Sequence, residues 1–364
     1  MSRAPAIHQF IPSFAARDAV GQHTLRLRTL LRDLGFDSDI YAEDVHPELR
    51  GQALDYRTFA PPPGTPTWLL YQASTGSPMG DWLQTRPEPL LLDYHNITPV
   101  EMFAPWEPVV AAVLRRARAQ LARLAPRSRL GFADSTFNAG EIDDLGCPRT
   151  VVAPILLDPG AFECGVDAAV LDRLGAGSGV AWLFVGRLAP NKAQHDVLKA
   201  FALYRRVFDS RARLWLVGGS SSDAYVRALR SLAQRLGVAS AVEFAGSVSQ
   251  EALVAYYRAA DVFVCLSDHE GFCVPLLESM AHGVPVVAFG SSAVPETLGS
   301  AGVCLPEKSP GVVASAVWRV VSDRSVRDAL VAAGHRRLQD FSLERTRAKF
   351  TQAIEALVAE ESHV

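Results

Sequence analysis

Short apolar runs of strand length alternate along the chain with longer stretches whose apolar positions recur at helical spacing. Residues 4–10, 67–71 and 90–94 read as strands of the first half, with a helix expected over 21–34. In the second half, residues 180–185, 213–217, 242–244, 262–266 and 284–289 repeat the strand signal. Alternation of this kind predicts an α/β chain of parallel sheets covered by helices. Residues 154–179 mix proline, glycine and small residues without strong periodicity, which places a linker there. Helical spacing returns over 343–360. The expected organisation is an amino-terminal Rossmann-like domain over residues 1–165, a second over 166–342, and a helix within 343–364 that crosses back onto the first. Two doubly wound domains facing each other across a cleft, with ligands held outside the carboxyl ends of the strands, is the architecture this pattern suggests.

Composition narrows the class. A chain of 364 residues with 49% hydrophobic content is long enough for two cores built on buried sheets. A net charge of -3 without blocks of like charge gives nucleic acid no footing as a partner. The opening residues Met1 to His8 lack an apolar signal region, and no apolar run approaches the roughly 20 residues a bilayer crossing needs. A cytoplasmic location is expected. Cys147, Cys164, Cys265, Cys273 and Cys304 form no Cys-x-x-Cys pair, so reduced and mostly buried thiols are expected rather than a disulfide framework or a zinc site.

The most informative stretch runs Asp268-His-Glu-Gly-Phe-Cys-Val-Pro-Leu-Leu-Glu278. It follows a strand signal, and Pro275 marks a helix start, where proline is tolerated best. The amides of Gly271, Phe272, Cys273 and Val274 then lie where a helix leaves N–H groups unpaired, which favours an anionic or hydroxyl-rich ligand. Gly271 lets such a ligand approach the backbone. Glu270 precedes the helix and Glu278 lies one turn inside it, so both carboxylates can address one extended ligand. Gly283 is placed to end the helix before a strand over 285–290.

Glu-x7-Glu in this setting, followed by Ala-His-Gly-Val-Pro-Val-Val-Ala, resembles the donor-sugar motif of the retaining glycosyltransferases of family 4. The resemblance covers residues 180–306 and implies the GT-B fold. It implies that Glu270 and the amides of Gly271, Phe272, Cys273 and Val274 hold the hydroxyls of the transferred sugar, and that Glu278 holds the nucleotide ribose. A departing nucleotide diphosphate gathers negative charge that fixed cations can offset. Gly186-Arg187-Leu-Ala-Pro-Asn-Lys192 resembles the family's diphosphate motif, and Lys192 is one of only four lysines in the chain, with Lys199, Lys308 and Lys349. Gln194 stands where a glycine or small residue is often seen.

His95, after the strand 90–94, resembles a histidine that family members place near sugar and acceptor. Gly21 corresponds in order to the family's first glycine-rich loop, although Ala19-Val20-Gly21 replaces the usual double glycine. The catalytic set implied is His95, Glu270, Arg187 and Lys192; the donor set is Gly21, Gly186, Arg187, Lys192, Glu270, Gly271, Phe272, Cys273, Val274 and Glu278. No metal is expected, because Asp143-Asp144 and Glu43-Asp44 lack the Asp-x-Asp placement that coordinates a diphosphate-bound cation. No cofactor is expected beyond the nucleotide sugar as substrate.

The expected activity is transfer of a hexose-type sugar from a nucleotide diphosphate sugar to an acceptor hydroxyl of a polysaccharide, a glycolipid or a small natural product. The alternatives are a nucleotide-sugar epimerase or hydrolase on the same fold, or a catalytically silent nucleotide-binding protein. Two further segments bear on the acceptor. Tyr71-Gln-Ala-Ser-Thr-Gly-Ser-Pro78 is rich in hydroxyls and either faces the acceptor or is an ordinary loop. Over residues 108–124, Arg115, Arg116, Arg118 and Arg123 flank an apolar stripe; peripheral contact with anionic lipid is the weaker reading, and packing of the stripe on a sheet the stronger.

Overall fold

The structure is a computed structural model that describes residues 4–361 except 16–17, 62, 163–164 and 221; Cys164 lies outside the described residues. The chain forms two compact units. One gathers the described residues of Met1–Val100, Val109–Leu157 and Phe341–Val364, and the other those of Glu101–Pro108 and Asp158–Asp340.

The first unit is built on seven strands among the described residues: β1 (Ala6–Phe14), β2 (Ile40–Val45), β3 (Leu54–Asp55), β4 (Thr67–Ala73), β5 (Leu90–Tyr94), β6 (Ser128–Ala133) and β7 (Thr150–Val152). They lie in the order β3-β2-β1-β4-β5-β6-β7, and the paired strands are parallel throughout. The second unit carries β8 (Ala181–Val185), β9 (Arg213–Val217), β10 (Val242–Gly246), β11 (Val262–Cys265), β12 (Val286–Phe289) and β13 (Gly302–Leu305) in the order β10-β9-β8-β11-β12-β13. Both orders reverse direction beside the first strand of the sheet, between β1 and β4 and between β8 and β11. A doubly wound sheet binds ligands at such a switch point, beyond the carboxyl ends of the strands.

The elements form for ordinary reasons. β1 runs past the expected residue 10 to Phe14 because Ile11 and Phe14 are fully buried and extend the apolar run. The helix Ala19–Asp33 starts earlier than residue 21, so Gly21 stands in its first turn rather than in the turn before it. A Cβ on Gly21 would meet the Ala15 carbonyl oxygen at 2.1 Å, which reserves the position for glycine. The stretch 154–179 is not structureless: it contains the helix Ala168–Gly175, whose Asp167 side chain accepts from the Val170 amide at 3.1 Å.

Each unit has its own core. In the second, Trp182, Phe184, Leu198, Phe201, Leu214 and Leu216 pack below the sheet, with Trp106 from the short segment 101–108 laid against them. In the first, Ile7, Leu27, Leu70, Leu91 and Phe132 share a core with Phe350, Ala353, Ile354 and Leu357 of the helix Leu343–Glu361.

The helix Pro108–Leu124 buries Ala111, Leu114, Ala117, Leu121 and Leu124, so its stripe is spent on the core. Arg116 reaches Asp81 at 2.6 Å and Arg118 reaches Glu141 at 2.8 Å, which ties those charges to the unit's own carboxylates. Among the described residues, no helix is long and apolar enough to cross a membrane. The hydroxyl-rich stretch after β4 is also knit inward. Gln120 accepts from the Ser77 amide at 3.2 Å and donates to its carbonyl at 2.6 Å, while Ser77 caps the helix Pro78–Leu83.

Candidate active site

The switch point of the second sheet collects the motif residues. After β8 the backbone passes Gly186 at φ 144°, a conformation L side chains rarely adopt, and a Cβ on Gly218 would meet the Gly186 carbonyl oxygen at 2.1 Å. Arg187 follows, exposed, and its side chain has no partner among the described residues. Lys192 closes the turn Pro190–Lys192, and Ala193 leaves it in the left-handed region at φ 49°. Gln194 holds this loop in shape, donating from Nε2 to the Arg187 carbonyl at 3.0 Å. A glycine could not do so, and the departure at this position is thereby accounted for.

The second loop follows β11, the strand beside β8. Its Glu270 carboxylate is 2.5 Å from the Lys192 ammonium, and the two side chains are 6% and 25% exposed. Burial works against the Lys192 charge, but the Glu270 carboxylate outweighs it and holds the ammonium pKa above its ordinary value. The loop itself is fixed from several sides. The Glu270 amide donates to Ser292 Oγ at 2.7 Å, the Asp268 amide to the Asn191 carbonyl at 2.8 Å, and Asn191 Nδ2 to the His269 carbonyl at 3.2 Å. Lys308 bridges Asp268 at 2.5 Å and Asp196 at 2.8 Å, binding the second loop to the helix Gln194–Val207 behind the first.

Cys273, at φ 73°, turns the chain into the helix Val274–Ala281, with Pro275 in its first turn and Gly283 (φ 65°) just past its end. The Cys273 and Val274 amides have no hydrogen-bond partner among the described residues. Gly271 is half-buried, and Phe272 is buried with its carbonyl accepting from Thr297 Oγ1 at 2.6 Å. Glu278, one turn in, accepts from the Tyr257 hydroxyl at 2.7 Å, and Tyr257 stacks on His282 with ring centres 5.1 Å apart. Burial pushes the Glu278 carboxyl above its ordinary range and the Tyr257 hydrogen bond opposes the shift.

Within the second unit the structure thus brings together Gly186, Arg187, Lys192, Glu270 to Val274, and Glu278. It adds Ser292, Asn191, Asp268, Lys308 and Tyr257, to which the motif reading gave no role. Lys308 left one trace in the sequence: in so lysine-poor a chain, its placement after β13 was a signal of the same kind as Lys192.

Gly21 and His95 belong to the first unit, near the switch point of its own sheet, and each is described there alone. His95 has 1% of its side chain exposed, and both ring nitrogens are engaged. Nδ1 lies 3.1 Å from Asp134 Oδ2 and Nε2 lies 2.6 Å from Gln72 Oε1. The Gln72 amide nitrogen donates to Gln9 Oε1 at 3.1 Å, and the Gln9 amide nitrogen to the Thr24 carbonyl at 3.0 Å. The chain of donors fixes each amide, so Gln72 must accept and His95 must donate from Nε2; toward an ionised Asp134, whose carboxyl burial pushes up, it donates from Nδ1 as well. An imidazole that donates twice is an imidazolium. Burial alone would lower its pKa, yet the charges of Asp134 and Asp93 outweigh burial and hold it at about 9.

Asp93, fully buried, is 2.8 Å from His23 Nε2, while His23 Nδ1 accepts from the Leu156 amide at 2.8 Å. Burial pushes the Asp93 carboxyl up, and the His95 and His23 imidazoles outweigh it and bring it below its ordinary value. His23, Asp93 and His95 could between them offer a metal three ligand atoms within 4.8 Å of one another. The lone pair on His23 Nδ1 is spent on Leu156, however, and the remaining nitrogens point protons at oxygens. The ring nitrogens of the cluster are all engaged as it stands, while Asp93 Oδ1 is buried without a hydrogen bond.

Two doubly wound parallel sheets with these orders define the GT-B class of fold. The chain shares it with sucrose-phosphate synthase from Thermosynechococcus elongatus, at TM-score 0.75 and 19% identity over 98% of this chain and 100% of that one. It shares it also with Anabaena Alr3699/HepE in complex with UDP and glucose, at TM-score 0.73 and 15% identity over 96% of this chain and 100% of that one. Sequence adds a family likeness: residues 179–337 match the family model of the glycosyl transferases group 1. A D-inositol 3-phosphate glycosyltransferase of Geodermatophilus obscurus is 36% identical over 225 residues, which are 58% of this chain and 49% of that protein. The chain spans about half the length of the first curated relatives it matches.

Proposed function

We propose that this protein is a metal-independent, retaining glycosyltransferase that moves a hexose-type sugar from a nucleotide diphosphate sugar to an acceptor hydroxyl. The observation that carries the proposal is the Lys192–Glu270 pair at the switch point of the second sheet, beside the unpaired Cys273 and Val274 amides. Glu270 accepts hydrogen bonds from sugar hydroxyls, the amides of Gly271 to Val274 complete that contact, and Glu278 takes the ribose. Gly186 lets the diphosphate approach the backbone, while Arg187 and Lys192 offset its charge. In the transfer, the bond from the anomeric carbon to the phosphate oxygen breaks, and one to the acceptor oxygen forms on the same face. The acceptor proton passes to the departing phosphate. In the first unit, Gly21 contributes a backbone contact to the diphosphate, and His95 a fixed positive charge near the sugar and acceptor.

The family match over 179–337 supports this reading. The acceptor class is a carbohydrate, lipid-linked or natural-product hydroxyl; a relative named as a D-inositol 3-phosphate glycosyltransferase makes a polyol phosphate the first acceptor to try. We assign the proposed reaction to the cytoplasm, as part of carbohydrate biosynthesis.

The test is thermal unfolding against UDP, GDP, ADP, dTDP and CDP without added metal. A ligand at about a hundred times its dissociation constant adds roughly 2.7 kcal/mol. One responder, lost in Glu278→Ala, identifies the base. Silence from all five removes the donor reading. With the matching donor in hand, product formed without any acceptor would instead favour an epimerase or hydrolase.

Tyr257 supplies a finer check, since its hydroxyl steers Glu278 without standing in the donor contacts itself. Tyr257→Phe is expected to raise the donor KM about tenfold with kcat within about twofold. The rise should be larger at acid pH, because losing the hydroxyl lets burial push the Glu278 carboxyl higher still. An unchanged KM across pH would mean that the hydroxyl does not orient Glu278.

A further inference from the structure

Cys265 is the last residue of β11, and Cys273 is the residue from which the helix Val274–Ala281 starts. The loop between them carries Glu270. Their sulfurs lie 3.9 Å apart, and both lie with a Glu270 carboxylate oxygen inside a group no more than 4.8 Å across. The three residues are 2%, 8% and 6% exposed. Two thiolates bonded at about 2.3 Å to one tetrahedral ion stand about 3.8 Å apart along the edge of the tetrahedron. A disulfide would need the sulfurs at about 2.05 Å. The observed spacing is that of an S–H···S contact and equally fits two ligands of one metal ion, whereas a cross-link would have to draw the strand end and helix start together by nearly half the present separation.

We propose that Cys265, Cys273 and Glu270 form a site for a thiophilic divalent cation of the zinc class, with a fourth position open toward Lys192. The choice of cation follows from the ligands: two soft sulfurs and one carboxylate in a tetrahedral frame suit zinc, and a magnesium ion would require an oxygen shell. Charge is balanced, since the two thiolates and the carboxylate are cancelled by the dication together with the Lys192 ammonium. Lys192 is a quarter exposed, more than any of the three ligand residues. The ion takes no part in glycosyl transfer. It claims the carboxylate that the proposed donor sugar needs, so the site is inhibitory and competitive with donor. That consequence rests on the donor reading above, whereas the ion site itself does not.

Cobalt(II) is the probe for the site. Titrated into the reduced full-length protein, it should give the ligand-field bands of tetrahedral cobalt and a thiolate charge-transfer band, saturating at one equivalent and bleached by zinc. Zinc should inhibit sugar transfer competitively with donor, with activity restored by a chelator. Cys265→Ser, which leaves every proposed donor contact in place, should keep basal activity and lose both the cobalt bands and the inhibition by zinc. Cys265→Ala and Cys273→Ser, read by the cobalt spectrum alone, guard against misfolding of the first variant. Absence of the thiolate band in the wild type, or its survival in the Cys265 variants, overturns the site. If sugar transfer itself is never found, intact cobalt bands show that the donor reading failed and the ion site did not.

Discussion

Glu270→Ala is expected to lower kcat/KM with the proposed nucleotide-sugar donor by on the order of a thousandfold, because it removes the proposed hydroxyl contacts and strips Lys192 of its counter-charge. Lys192→Ala should cost about as much. The two residues act as one unit at 2.5 Å, so the double variant is expected to be no worse than the poorer single. Glu270→Gln separates charge from shape. Without the carboxylate, burial dominates at Lys192, its pKa falls, and the alkaline limb of the activity profile should move to lower pH. Steady-state kinetics of the four proteins across pH reads all of this. Additive losses, or a Glu270→Ala enzyme within a few-fold of wild type, would remove the pair from the centre of the mechanism.

The second large effect is on stability, in the first unit. His95 is held protonated with a pKa of about 9 when folded, against an ordinary value of 6.5. A raised folded pKa makes its contribution fully present below pH 6.5, and that contribution is lost as pH climbs through 9. The wild type should therefore lose about 3 kcal/mol of stability in the first unit across that window. His95→Ala should be flat over the same range. It should also be less stable at neutral pH by about 3–5 kcal/mol, since Asp134 and Asp93 are left buried without their cation. Amide exchange protection of the β5 peptide reports the first unit separately from the second. A wild-type protein whose β5 protection holds steady from pH 6.5 to 9 would show that His95 is neutral.

Eight of the thirteen described strands, all but β2, β3, β6, β7 and β13, and the turn and helix start from Glu270 to Glu278 were legible because both are written locally. A run such as Val262-Phe-Val-Cys265 declares a buried strand, and Glu270 to Glu278 spans a turn and one helix start, with proline and glycine marking its ends. The helix Ala168–Gly175 was hidden by the glycines and small residues around it, although Asp167 three residues before Val170 was its cap. What the sequence could not display is convergence. The His95 network joins residues 9, 23, 72, 93, 95 and 134 from different elements. Its only linear trace is that Gln9, Gln72 and Asp93 interrupt apolar strands. The approach of Cys265 and Cys273 likewise lies outside Cys-x-x-Cys spacing, which describes a tight turn. Here a strand end and a helix start close the distance instead.

The helix Leu343–Glu361 places Phe350, Ala353, Ile354 and Leu357 in the core begun by Ile7 and Leu27. On the ribosome, the amino-terminal sheet therefore waits with an open apolar face while the whole second unit is synthesised behind it. The second unit needs no segment beyond Asp340 and can close first. The core of the half translated earliest is thus completed only by the last helix to be synthesised among the described residues.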